Sequence, residues 1–247
     1  GPRRRRLLRP GLMRVLVTRA EPEAGRTAAV LAARGHQTLV APLVAPRPLA
    51  PDLDLTGCAA IVVTSPRTIA MMPDGWRTAL QPLPAFAVGD RTAEALRNDG
   101  FVDVRSAAGD IVALADLIRQ ARLPAGAVLL HPGGEDRAGD LAAMLAGCGL
   151  TVVSPIVYRM VAANALPETV RDALAAGAID AILHYSPRSA RIFADLVRAA
   201  HLAEAARRPL HACLSPAVAA ALEPLAAPRV VAAVRPDEVS LLDVLAT

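Results

Sequence analysis

The sequence predicts an α/β protein of two doubly wound parallel-sheet domains, flavodoxin- or Rossmann-like, one inserted in the other and joined by a two-stranded linker. Three observations carry this. Short apolar runs alternate with helical patterns along the chain, the signature of parallel strands covered on both faces. One phrase is said twice, as Ile61-Val62-Val63-Thr64-Ser65-Pro66-Arg67 and as Ala181-Ile182-Leu183-His184-Tyr185-Ser186-Pro187-Arg188. Each copy is followed by a second apolar run that ends in a small residue before a helix: Phe86-Ala87-Val88-Gly89, 24 residues after Ser65, and Ala212-Cys213-Leu214-Ser215, 29 after Ser186. Repetition of this kind indicates two similar halves, and two facing halves make a cleft for a ligand. Third, residues 13–42 hold two strands and residues 164–247 hold three, while the middle segment holds five. Neither outer piece is a domain alone; together they equal the middle one.

The elements follow in order. Arg14 to Thr18 is an apolar strand, and Ala24, Thr27, Ala28 and Leu31 give the next segment, Glu21 to Arg34, a helical face that stops at Gly35. Gln37 to Ala41 is a second strand. Pro42, Pro46, Pro48 and Pro51 then make a stiff, extended crossing. The middle segment reads as strand 59–63, a helix from Pro66, strand 85–88, helix 90–98 stopped by Gly100, strand 102–105, helix 110–121 and strand 127–130. Gly133-Gly134 leads into a helix around 137–146, and 150–157 is one longer β-rich run. The return crossing falls near 162–167. Helix 168–176, strand 181–185, helix 188–200, strand 210–214, helix 216–222, strand 229–232 and helix 236–245 complete the chain. The division is residues 13–42 plus 164–247 for the discontinuous domain, 48–158 for the inserted one, and 43–47 and 159–163 for the linker strands.

Composition excludes several function classes. The chain of 247 residues is 53% hydrophobic, enough for real cores, yet only six residues are aromatic. Stacking platforms for single-stranded nucleic acid are therefore lacking. The formal charge of +4 misleads, because Arg3, Arg4, Arg5, Arg6 and Arg9 precede Met13 and leave 22 basic against 23 acidic residues behind them. Gly1-Pro2 has the look of a protease scar, so residues 1–12 are expected to be a disordered leader or cloning remnant. A basic nucleic-acid arm is the competing reading of that segment.

All 27 basic residues are Arg. The absence of lysine excludes Schiff-base chemistry and the P-loop lysine, while Arg is the better planar clamp for carboxylates. Cys58, Cys148 and Cys213 show no CxxC spacing; each is expected to be a small buried hydrophobe in a reducing, cytoplasmic protein. No apolar stretch is long enough to span a bilayer. No GxGxxG follows the first strand, no Ser/His/Asp spacing is recognisable, and no paired carboxylates present themselves. His131 sits beside Gly133, His184 lies in a strand, and His36, His201 and His211 read as surface or strand-end residues.

Ligands of open α/β sheets bind outside the carboxyl ends of the strands. There fall Thr18 and Arg19; Thr64, Ser65, Pro66 and Arg67; Gly89, Arg91 and Thr92; Gly133 and Gly134; and Tyr185, Ser186 and Ser189, with Ser215 at the last turn. Helix N-termini expose unpaired N–H groups and a positive dipole end, hydroxyls add donors, and glycine allows close approach. The set suits an anionic ligand with several carboxylates or phosphates. The plainer reading of Ser65, Ser186 and Thr92 is helix capping.

These residues resemble the uroporphyrinogen-III synthase family. The resemblance runs from Met13 to the C-terminus through Val15-Leu16-Val17-Thr18-Arg19, Thr64-Ser65-Pro66-Arg67, Val88-Gly89 with Thr92-Ala93 and Leu96, Leu129 to Arg137, Val157-Tyr158 and the second Ser-Pro turn. It implies two α/β domains on a two-stranded linker and a cofactor-free reaction on hydroxymethylbilane, a linear tetrapyrrole with eight carboxylates. The terminal hydroxyl leaves as water, ring D attacks through its substituted carbon, and a spiro intermediate fragments and recloses with ring D inverted. Geometry control is then the main task, because the substrate cyclises unaided to the wrong isomer; closure of two domains would exclude water. The resemblance puts a proton-donating phenol on Tyr158, with Tyr185 as rival, and adds Arg137 to the binding set. It implies a monomer, a possible transient hand-over from the preceding pathway enzyme, and neither nucleic acid nor membrane as partner. Two positions depart: Ser215-Pro216 stands where Gly is expected, and Val218 replaces a hydroxyl. They keep open a second reading, a diverged non-catalytic binding or regulatory protein for an anionic small molecule such as a tetrapyrrole.

Overall fold

The computed structural model describes residues 12–136 and 139–246. The expectations for the leader up to residue 11 and for Arg137 lie outside these residues. The chain divides into two compact units: residues up to Ala45 together with those from Ala162, and Pro46–Val161.

Unit 1 opens with β1 (Arg14–Val17), α1 (Glu23–Ala33) and β2 (Gln37–Val40), and the chain leaves it along β3 (Val44–Pro48). Unit 2 runs through β4 (Cys58–Val63), α2 (Pro66–Met71), α3 (Asp74–Leu80), β5 (Ala85–Ala87), α4 (Asp90–Asn98), β6 (Val104–Ser106) and α5 (Ile111–Gln120). It ends with β7 (Val128–Leu130), β8 (Gly133–Gly134), α6 (Leu141–Met144) and β9 (Thr151–Val153). β10 (Ile156–Ala162) returns the chain to α7 (Glu168–Ala175), β11 (Ala181–His184), α8 (Pro187–Ala199), α9 (Ala203–Ala206), β12 (Leu210–Cys213), α10 (Pro216–Ala220), β13 (Val230–Ala232) and α11 (Glu238–Asp243).

Each unit holds a five-stranded sheet, ordered β13-β12-β11-β1-β2 in unit 1 and β6-β5-β4-β7-β9 in unit 2. Every pairing in both is parallel. The order of connection reverses between β1 and β11 in unit 1 and between β4 and β7 in unit 2. These are the topological switch points, where the loops at the strands' carboxyl ends diverge and leave a crevice. A third sheet, β3-β10-β8, is built around the two crossing strands.

Both faces of each large sheet are covered, and the sequence says why. Successive side chains of a strand point to opposite faces, so a strand buried on both sides must be apolar throughout. Val15 and Val17 of β1 pack with Ala24, Leu31 and Leu241, while Leu16 between them joins Phe193 and Val197 on the other face. In β4, Ile61 and Val63 meet Trp76 and Leu96, and Ala60 and Val62 meet Leu114 and Ile118. Burying a Val, Leu or Ile fully contributes about 1.5–3 kcal/mol each. The helices are closed by short polar residues: Asp110 accepts from the N–H groups of Val112 and Ala113 at 2.9 and 3.0 Å, and Asp237 from Ser240 N–H at 2.7 Å.

Several expected elements differ. The β-rich run of 150–157 is two strands that part at Ser154-Pro155: β9 joins the unit 2 sheet and β10 the small sheet. Proline has no N–H to continue a ladder. The expected helix over 137–146 contracts to α6, which starts only after its cap Asp140. The return crossing runs along β10, which overlaps the linker strand expected at 159–163 and begins three residues before it. Among the cysteines, Cys213 is fully buried, Cys58 partly, and Cys148 is exposed; Cys148 follows Gly147 and precedes Gly149, both at positive φ, in the turn after α6. His211 is no strand-end residue. It is fully buried in β12, and its hydrogen-bonded neighbours, described below, replace the water it loses.

Candidate active site

At the switch point of unit 2, Thr64 and Ser65 follow β4, with Pro66 opening α2. The Ser65 hydroxyl accepts from Arg67 N–H at 3.3 Å, an N-cap. Gly89 precedes α4 in extended backbone, and a side chain there would meet nothing within 4 Å. Neither a close neighbour nor the backbone conformation requires glycine there. Thr92 is buried at 4% exposure, whereas Arg91 is exposed.

The two glycines after β7 form no helix-opening cradle. They are extended as β8 and pair with β10: Gly133 N–H donates to Pro155 O at 3.2 Å, and Gly134 lies opposite Tyr158. The register explains the residue type. A Cβ on Gly134 would stand 2.8 Å from Cζ and 3.0 Å from the hydroxyl of Tyr158, so only glycine leaves room for that ring. Tyr158 is 8% exposed and packs with Val157 against the core of Ile61, Val63 and Leu130. The described residues give its hydroxyl no hydrogen-bond partner.

In unit 1 the candidates after the two central strands converge. Thr18 is fully buried and donates its hydroxyl proton to Leu183 O at 2.7 Å, which ties β1 to β11. That bond commits the hydroxyl proton to the sheet. Arg19 lies over the Tyr185 ring at 4.1 Å and donates Nη1 to Glu238 Oε1 at 3.1 Å. The Tyr185 hydroxyl also donates to Glu238 Oε1, at 3.2 Å, and Thr27 makes a further bond to the same oxygen. Burial, aided by the Glu238 carboxylate, pushes the Tyr185 phenol up to about 12. Glu238 and Thr27 are the members the sequence did not single out. Glu238 lies more than 200 residues from Arg19, and nothing in its local sequence marks it.

Ser186 caps α8, accepting from Ser189 N–H at 3.1 Å and donating to the Ser189 hydroxyl at 3.0 Å. Ser189 is itself buried. Ser215 sits at the same place before α10 but makes no side-chain cap bond. Val218, where a hydroxyl was expected, is 2% exposed in the core of Leu222 and Leu225. Beneath these turns His184 and His211 form a buried pair. His211 Nε2 donates to Ala206 O at 2.8 Å, so its Nδ1 accepts from His184 Nε2 at 3.0 Å. His184 Nδ1 is buried without a partner. Burial lowers both imidazoles, His184 the further, with His211 beside it a second cause. A cavity of about 470 Å³ elsewhere in unit 1, among Met13, Ile179, Asp180, Arg208 and Arg229, holds none of the candidates.

A family model described as Uroporphyrinogen-III synthase HemD matches residues 25–243. The chain belongs to the uroporphyrinogen-III synthase family. A uroporphyrinogen-III synthase from Chlorobaculum parvum is 30% identical over 77% of this chain and 81% of its own. The crystal structure of the uroporphyrinogen-III synthetase from Helicobacter pylori 26695 superposes with a TM-score of 0.57 at 16% identity, over 94% of this chain and 97% of that one. A mutant uroporphyrinogen III synthase from the extremely thermophilic bacterium Thermus thermophilus gives 0.46 at 19% identity, over 95% and 97%. The likeness to the Helicobacter structure is one of fold. Family membership makes the chain one of the enzymes of tetrapyrrole biosynthesis and gives it a small-molecule substrate. Among the described residues no helix is long and apolar enough to cross a membrane, and no group of His, Cys, Asp and Glu could hold a metal ion.

Proposed function

We propose that this chain is the cyclising hydro-lyase of its family, converting hydroxymethylbilane to uroporphyrinogen III without a cofactor, as a cytoplasmic monomer. The family match over residues 25–243 carries the reaction. In the proposed course, a proton reaches the terminal hydroxyl, the C–O bond breaks and water leaves, giving a cationic azafulvene. Ring D attacks it through its substituted carbon. The spiro intermediate fragments and recloses with ring D inverted, and the last proton lost restores the donor.

Tyr158 is the donor we favour. Its hydroxyl has no partner among the described residues, and Gly134 leaves the ring its space. Tyr185 is already committed: its proton points at Glu238, and burial beside that carboxylate makes it a weaker acid. A general acid must have a proton free to give at the reacting atom. In unit 2 the turns at Thr64–Arg67 and Gly89–Thr92 bring Arg67 and Arg91 to the carboxyl ends of β4 and β5, where they would hold substrate carboxylates.

The deciding experiment supplies freshly made hydroxymethylbilane, oxidises the products and separates the type I and type III porphyrins. Mostly type III is expected. Type I alone, formed at the uncatalysed rate, would leave the diverged binding protein, the reading that the uncapped Ser215 turn favours.

A further inference from the structure

We infer that Glu238 is a built-in competitor for the substrate: its carboxylate occupies on Arg19 the place one substrate carboxylate takes on binding, and so sets the affinity for the polyanion. The inference rests on the proposed anionic substrate. One oxygen of Glu238 gathers three donors: the Arg19 guanidinium, the Tyr185 phenol and the Thr27 hydroxyl. Two of these follow β1 and β11, the strands that flank the switch point of unit 1. Planar guanidinium plus convergent hydroxyls is the donor set that recognises a carboxylate.

Glu238 is not needed for the helix it begins. Asp237 already caps α11 through Ser240 N–H. The ion pair is open to solvent, with side-chain exposures of 25% for Arg19 and 40% for Glu238. An incoming carboxylate that takes the same three donors replaces Glu238 while Arg19 keeps a partner throughout. A substrate carrying fewer carboxylates, or one misplaced, leaves Glu238 in position and is bound more weakly. Glu238 is thus a positioning residue that acts through Arg19.

The test is a binding titration of uroporphyrin III, followed by fluorescence quenching at low salt, beside KM and kcat for hydroxymethylbilane. Glu238→Gln is expected to tighten binding about two- to fivefold and to lower KM with kcat unchanged. The gain should vanish in the Arg19→Ala background, since the coupling runs through that residue. Asp243→Asn, which removes the same charge from the far end of α11 where Asp243 pairs with Arg34, should leave binding as it was. An unchanged or weaker Glu238→Gln, an equal gain from Asp243→Asn, a gain that survives Arg19→Ala, loss of the folded state in Glu238→Gln, or no uroporphyrin binding by any form each overturns the inference. Expected binding shifts with type I product alone would uphold it and remove the synthase reading. Type III product with binding indifferent to Arg19 would do the reverse.

Discussion

Tyr158 and Tyr185 are the two tyrosines of the chain, and their surroundings separate them. Tyr158 stands against Gly134, its hydroxyl unpartnered among the described residues; Tyr185 is held by Thr27, Arg19 and Glu238. Tyr158→Phe is expected to lower kcat by about a hundredfold or more with the circular dichroism spectrum retained. Tyr185→Phe should cost far less in kcat. Equal losses in the two variants would remove the assignment. The buried histidines make a second residue-scale prediction. Their folded pKa values are depressed below the usual 6.5, so above that pH both states are neutral and the full stability is present. As pH falls below about 6.5, the unfolded chain binds protons that the folded chain refuses, and stability declines. Cys213 is the other titratable group beside them and stays a thiol, pushed up to about 12 by burial. The thermal midpoint should fall between pH 7 and pH 5, and His184→Leu combined with His211→Leu should flatten that slope.

Among the elements, the paired serine turns give the clearest contrast. Ser186 and Ser215 occupy equivalent N-cap positions after neighbouring strands β11 and β12, yet only Ser186 bonds its helix. Ser186→Ala is expected to lower stability by about 1 kcal/mol, whereas Ser215→Ala should be close to neutral; urea unfolding measures both. The repeated Ser-Pro phrase was legible because Pro is favoured at the first helical position and Ser just before it. Which serine would make its bond was not legible, since that turns on side-chain torsion and neighbours. The glycine pair at 133–134 shows the same limit from the other side. Two glycines before a helical pattern suggest a ligand-binding turn, but the partner strand β10 claims their backbone and Tyr158 claims the empty space over Gly134.

For the whole molecule, the insertion has a direct consequence. Unit 2 is one continuous stretch, Pro46–Val161, with a five-stranded sheet covered on both faces by its own helices. A fragment of residues 46–161 is expected to fold cooperatively alone, read by circular dichroism during urea unfolding, and to give no type III product. A fragment lacking a cooperative transition would show that unit 2 depends on the rest of the chain.

The alternation of apolar strands with helices, the doubling of the Ser-Pro-Arg phrase and the positions of the strand-end turns were all set by local sequence. They follow from side-chain periodicity and from turn chemistry that acts over a few residues. The sheet orders, and hence the switch points, came only with tertiary structure, because strand neighbours are chosen by long-range packing. The same holds for the Glu238 carboxylate on Arg19, the His184–His211 pair and the glycine that makes room for Tyr158. In each, residues with no shared local pattern meet because the fold brings distant strands side by side, and burial then decides which polar groups must be paired and which is left with a hydroxyl to offer.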